Sequence, residues 1–149
     1  MKEVATSATI LIAENDAEDQ MLLKDAFAEN RLAHNLQFVD DGEEMMDYLR
    51  GHGQYADCVR APRPSLIVLD LNMPRKDGRE ALQEIKTDPL LRRIPVIVLT
   101  TSQSEADITR SYDLGVNSFI TKPTTFTALV EVVKIISAYW LEMVELPIA

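Results

Sequence analysis

The sequence predicts an α/β domain built on a five-stranded parallel sheet. Five short apolar runs alternate along the chain with segments of helical periodicity. Chains that alternate in this way pair their strands in parallel through right-handed crossovers. Four of the runs also end in chemically capable residues: Glu14-Asn15-Asp16, Asp70, Thr100-Thr101 and Lys122-Pro123. Open α/β sheets build their sites at the carboxyl ends of strands, so the four ends point to one pocket.

Thr9–Ala13 is the first strand. Asp16 with Asp19 stands at the spacing of a reciprocal helix cap, and Asp41 with Glu44 repeats it after a second strand at Leu36–Val39. Residues 51–64 are rich in Gly, Pro and Arg and read as a long surface connection. Leu66–Leu69 is continuously apolar and bounded by turn signals, Leu71–Pro74 and Asp77-Gly78, as a strand buried on both faces should be. Leu82 and Ile85 mark the inner face of a third helix. Val96–Leu99 is the fourth strand, and Ser104 with Asp107 opens the fourth helix. Ser118–Ile120 is the fifth strand, and Phe126, Leu129, Val130 and Val133 recur at helical spacing after it. The Met45-Met46 pair reads as core. Arg92-Arg93 reads as a solvated helix end, and His34 and His52 as solvated or capping residues without metal-ligand spacing.

A chain of 149 residues with 46% hydrophobic content supports one core. We divide it into a leader (1–8), a domain (9–138) and an apolar C-terminal arm (139–149). The formal net charge of −9 has the wrong sign for nucleic acid. No apolar run approaches the ~20 residues of a membrane helix, and the first eight residues are too short and polar for a secretory signal. One cysteine, Cys58, leaves no internal disulfide. It suits a reducing, cytoplasmic compartment, where it reads as a bystander loop thiol.

Four stretches together carry a resemblance: ILIAEND (Ile10–Asp16), LIVLDLNMPRKDG (Leu66–Gly78), IPVIVLTTS (Ile94–Ser102) and NSFITKP (Asn117–Pro123). From Thr9 to Ala138 the chain resembles the receiver domain of two-component response regulators. Further stretches, GQYADCVRAPRP, DGREALQEIKTDPLLRRIP and YWLEMVELP, resemble the single-domain regulators that partner bacterial and cyanobacterial phytochromes. The resemblance implies a flavodoxin-like three-layer sandwich with strand order 2-1-3-4-5. It implies that Asp70 accepts a phosphoryl group from a histidine kinase of phytochrome type, that Thr100 is the switching hydroxyl and that Lys122 binds phosphate. It also implies a cis bond before Pro123, and no enzyme activity beyond the chain's own phosphorylation and dephosphorylation. Phe119 falls on the switching aromatic position, with plain core packing equally open.

A carboxylate that meets a dianionic phosphodonor needs a cation beside it. Mg2+ is the expected cofactor, held by Glu14, Asn15, Asp70 and the backbone carbonyl of Asn72. Asn15 departs from the family, which has a second carboxylate there; the lost charge should weaken the metal site. Thr101 stands where the family has a smaller residue, and it should narrow access. Two other readings remain open: a pseudo-receiver that binds partners without phosphorylation, and an aspartate-nucleophile phosphatase centred on Asp70-Leu71-Asn72. The phosphatase reading lacks a second aspartate at Asn72 and a cap. In the arm, Trp140, Leu141, Met143, Val144, Leu146 and Ile148 are apolar, and Pro147 suits an extended end. The arm either folds back on its own domain or is exchanged with a second copy to make a homodimer.

Overall fold

The computed structural model describes residues 8–57 and 61–147. Cys58 and Ile148 lie outside the described residues. The elements follow in strict alternation. They are β1 (Thr9–Ala13), α1 (Ala17–Glu29), β2 (Asn35–Val39), α2 (Gly42–Arg50), β3 (Leu66–Leu69), α3 (Gly78–Thr87), β4 (Val96–Thr100), α4 (Glu105–Leu114), β5 (Ser118–Thr121) and α5 (Phe126–Ile136). A single 3₁₀ turn, Gly53–Tyr55, interrupts the long α2–β3 connection, and α5 runs on as a π-helical stretch, Ser137–Met143. The sheet is parallel throughout, in the order β2-β1-β3-β4-β5.

Alternation along the strands builds two cores. Leu11 and Ala13 of β1 face one layer with Met45, Met46, Ala81, Leu82 and Ile85 of α2 and α3. Ile10 and Ile12 face the other with Leu23, Phe27, Leu129 and Val133 of α1 and α5. Covering both faces explains why β3 and β4 are apolar without interruption. Every residue of both strands is buried.

The caps are largely those the sequence indicates. Asp16 accepts from the N–H groups of Glu18 and Asp19 at 2.8 and 3.3 Å, Asp41 from Glu44 at 2.8 Å, and Ser104 from Asp107 at 3.3 Å. The reciprocal half is missing at α1, because the Asp19 carboxylate bonds Lys122 instead. A complete capping box, unnoticed in the sequence, opens α3 between Asp77 and Glu80. The Tyr48 hydroxyl donates to the carbonyl of Pro62 at 2.8 Å and Tyr55 donates to Glu44 at 2.5 Å, so the long connection is moored to α2.

Three expectations change. His34 is not solvated: its ring stands edge-on to Phe27 at 6.4 Å, and neither ring nitrogen has a hydrogen-bond partner among the described residues. Burial lowers its pKa while Glu142, far along the chain, pulls the other way, and local pattern announces neither. Arg92-Arg93 is exposed as expected, but it lies in the turns after α3 rather than in the helix. The bond before Pro123 is trans, since no cis peptide occurs among the described residues; trans is the lower-energy isomer by about 0.5–1 kcal/mol unless surroundings select the other.

The arm is helical to Met143 and leaves the helix before Pro147. Trp140 and Leu141 lie half-buried against Leu66, Ile97 and Ile136 of the same chain. Val144 and Leu146 are also half-buried, whereas Met143 is 70% exposed.

Gly78 holds the turn after β3 against the sheet. A Cβ there would stand 2.3 Å from the Asp70 carbonyl oxygen and 2.6 Å from Leu71 Cα. Gly78→Ala should therefore lower stability by roughly 1–3 kcal/mol, measured by urea unfolding.

Candidate functional site

Strand register assembles the site. Ala13 pairs with Leu69, so Glu14 and Asp70 leave adjacent strands side by side, and the Asp70 N–H donates to the Ala13 carbonyl at 3.0 Å. Thr100 pairs with Thr121, and the Lys122 N–H donates to the Thr100 carbonyl at 2.7 Å. Four side chains far apart in sequence thus reach one point.

Asp70 is 6% exposed and Thr100 fully buried. The Thr100 hydroxyl donates to Asp70 Oδ1 at 2.7 Å, and the Asn72 N–H reaches the same oxygen at 3.2 Å. Asp70 Oδ2 faces Lys122 Nζ at 3.2 Å. That ammonium also meets Glu14 Oε1 at 2.7 Å and Asp19 Oδ2 at 2.8 Å. Burial works against the ammonium, but its hydrogen bonds to Asp19 and Glu14 and the fields of Glu14 and Asp70 outweigh it and hold Lys122 charged. Burial pushes Glu14 above the ordinary carboxylate range against the pull of Lys122.

One ammonium among three carboxylates leaves the pocket net negative when all are ionised. Hard oxygens with an anionic surplus suit a small dication that keeps several waters. The donors are few: among the described residues no group of three or more His, Cys, Asp or Glu is arranged to hold a metal ion. Glu14 and Asp70, with the Asn72 carbonyl, fit such an ion if water completes its shell.

The remaining candidates sit at the rim. Asn15 and Asn72 are exposed, as is Thr101. Phe119 is half-buried against the α2–α3 core, and its N–H donates to the Tyr112 hydroxyl at 3.1 Å. Several residues join that sequence reasoning missed or took only as caps. Asp19 is one. Gln20 is another: its amide donates to the Glu14 carbonyl at 2.6 Å and to Asp40 at 2.8 Å. On the far side Arg79 forks onto Asp107, Nε to Oδ1 at 2.8 Å and Nη2 to Oδ2 at 2.7 Å. The Asp77-x-x-Glu80 spacing was a local signal for the cap beside Arg79 that went unused, and nothing local marks Asp107 as the partner of Arg79.

A family model for the response regulator receiver domain matches residues 10–134, and the chain belongs to that family. It is 44% identical over 140 residues to response regulator Rcp1 of Synechocystis, covering 94% of this chain and 93% of Rcp1. Among solved structures it is similar to the phosphorylated cyanobacterial phytochrome response regulator RcpA, with a TM-score of 0.89, 48% identity, and coverage of 96% of this chain and 100% of that one. It is also similar to Mn2+-bound Rcp1, with a TM-score of 0.86, 43% identity, and coverage of 95% and 99%.

The Arg79 fork and then the Ser102 hydroxyl lower the Asp107 pKa from 3.8 to about 2. A depressed carboxylate pKa contributes stability above its unfolded value and loses it as pH falls through the folded value. Asp107→Asn should be less stable than the unaltered protein near pH 7, by on the order of 1 kcal/mol for a partly wet pair. The difference should close between about pH 4 and pH 2, read from thermal unfolding across that range.

Proposed function

We propose that the chain is a response regulator that accepts a phosphoryl group on Asp70 from a histidine kinase, in two-component phosphorelay signalling. The observation that carries this reading is the division of labour at one carboxylate. Asp70 Oδ1 is held by the Thr100 hydroxyl and Oδ2 by the Lys122 ammonium, with Glu14 on the same ammonium. A carboxylate oxygen of Asp70 attacks phosphorus as the phosphorus–nitrogen bond to the donor imidazole breaks. Lys122 holds a transferring oxygen as a point charge, and Thr100 donates to another. Mg2+, when bound, neutralises the donor's charge; Glu14, Asp70 and the Asn72 carbonyl would hold it, with Asn15 beside them. Catalysis beyond self-phosphorylation and its reversal is not part of this reading.

The relative named as a phytochrome response regulator supports a phytochrome-type kinase as donor, and we place the exchange in the cytoplasm. Met21, Leu22 and Phe126 are exposed, and Leu22 and Phe126 line a cavity of about 120 Å³ that reaches Lys122. An apolar rim around a charged pocket suits a helical partner presenting its histidine. The net charge of −9 argues against nucleic acid. No described helix is long and apolar enough to cross a membrane.

Incubation with a small phosphodonor, with and without Mg2+, followed by intact mass, tests the reading. A stable adduct of one phosphate is the expected result. Continuous release of free phosphate from varied substrates would favour the phosphatase reading, and no change the pseudo-receiver. Asp70→Asn should take up nothing, because an amide is no nucleophile for this transfer. Asn15→Asp should tighten Mg2+ binding and speed uptake, since it adds a charge and a hard oxygen; equal affinities in a titration would remove Asn15 from the metal site.

We further propose a homodimer through the C-terminal helix. Ile135, Tyr139 and Met143 are 62%, 49% and 70% exposed at four-residue spacing, which is one helical stripe. This stripe replaces Trp140 and Leu141 as the centre of the contact, since those two already pack on their own domain. Light scattering of Tyr139→Glu should show a monomer where the unaltered protein is dimeric. A monomeric unaltered protein at high micromolar concentration, with or without phosphate, overturns the dimer.

A further inference from the structure

Arg79 stands where the loops after β3 and β4 meet. Besides its fork onto Asp107, its guanidinium makes three longer contacts. Nη2 lies 3.4 Å from Asn72 Oδ1, and Nη1 lies 3.4 Å from the Leu71 carbonyl and 3.5 Å from Asp77 Oδ2. The Asn72 N–H bonds Asp70 Oδ1. Asp107 Oδ2 also accepts from the Ser102 hydroxyl at 2.7 Å, two residues past Thr100, whose own hydroxyl returns to Asp70 Oδ1. The result is a closed circuit through Asp70, Asn72, Arg79, Asp107, Ser102 and Thr100, and Arg79 is its cation.

The guanidinium has a strong side and a weak one. Bonds of 2.7–2.8 Å to a carboxylate are charge-assisted, whereas contacts of 3.4–3.5 Å are marginal. The strong side grips α4 and the weak side faces the phosphoacceptor loop. A phosphoryl group on Asp70 brings a dianion with several acceptor oxygens to the weak side, and planar guanidinium matches phosphate well. The Thr100 hydroxyl, which donates to Asp70 Oδ1 at 2.7 Å, would meet the phosphoryl oxygens of the acyl phosphate as well.

We propose that Arg79 changes partner on phosphorylation, leaving Asp107 for the phosphoryl group. Its departure unlocks the loop at residues 101–104 and α4 from α3. The inference rests on the receiver reading above. Arg79 acts as a positioning residue in the unphosphorylated protein and as a phosphoryl contact in the phosphorylated one.

A pair that merely stapled α3 to α4 would respond alike to loss of either partner. A partner switch responds with opposite signs. Asp107→Asn frees the guanidinium and should speed uptake from a small phosphodonor with Mg2+. Arg79→Gln removes it and should slow uptake. Each change should be roughly threefold, the scale of a partly screened charge contact. Rates changing in the same direction, or not at all, overturn the proposal while leaving the receiver reading intact. No uptake by the full unaltered chain overturns both. Because either variant could fold poorly, the Nε–H resonance of Arg79 in the unaltered protein provides a second measurement. It should move away from its carboxylate-bonded position when beryllofluoride and Mg2+ are added, and a fixed resonance overturns the switch.

Discussion

The ammonium of Lys122 is the point on which the site depends. It lies between Glu14, Asp19 and Asp70, at 2.7, 2.8 and 3.2 Å, and its side chain is only 14% exposed. Three carboxylates this close would repel one another without it. With it the pocket keeps a surplus of negative charge that a dication can answer, while one cation stays fixed in the protein. The same group binds elements at opposite ends of the chain, since Asp19 and Lys122 are 103 residues apart. The site is therefore also a brace between α1 and the β5–α5 turn.

That brace is possible because the sheet is covered on both faces. The register of β1 against β3 and of β4 against β5 brings four strand ends level, and a slip by one residue would turn each strand's side chains to the opposite core. Close backbone contacts pin the loops that follow. Gly42 donates to the Lys76 carbonyl at 2.8 Å, and a Cβ on it would meet that oxygen at 2.1 Å. Gly78 plays the same part against Asp70 and Leu71. Two glycines thus hold the loop carrying Asn72, and the first turn of α3 with Arg79, against α2 and the sheet.

The two sides of the pocket differ in kind. Toward α1 the polar contacts are short and centre on the Lys122 ammonium, 14% exposed, which meets the buried Glu14 and the half-exposed Asp19. Toward α4 they pass through a guanidinium and a carboxylate that stay partly wet, with side-chain exposures of 31% and 18%. Local opening is drawn from the less buried groups of a fold, and the partner switch proposed for Arg79 would be expressed through α4. Phe119 and Tyr112 are on that side too, joined by the bond from the Phe119 N–H to the Tyr112 hydroxyl.

The sequence alone determined the alternation of elements, three of the helix caps and the four strand ends that carry chemistry. These rest on local rules: apolar period, hydrogen bonds spanning two or three residues, and the tendency of parallel sheets to build sites at carboxyl ends. The strand order was legible through family resemblance, because no local spacing encodes which strands become neighbours. Tertiary structure decided the rest. Asp19 read as half of a cap, yet it serves Lys122, because an ion pair across the sheet outweighs a bond to its own helix end. Asp107 read as a cap partner, yet Arg79 claims it from 28 residues away. His34 read as solvated or capping, yet its ring nitrogens are buried and feel Glu142, and Trp140, left open between its own domain and a second copy, packs near Leu66 and Ile97 of its own. In each case the deciding partner is distant along the chain, and only packing of the finished layers brings it within a hydrogen bond or van der Waals contact.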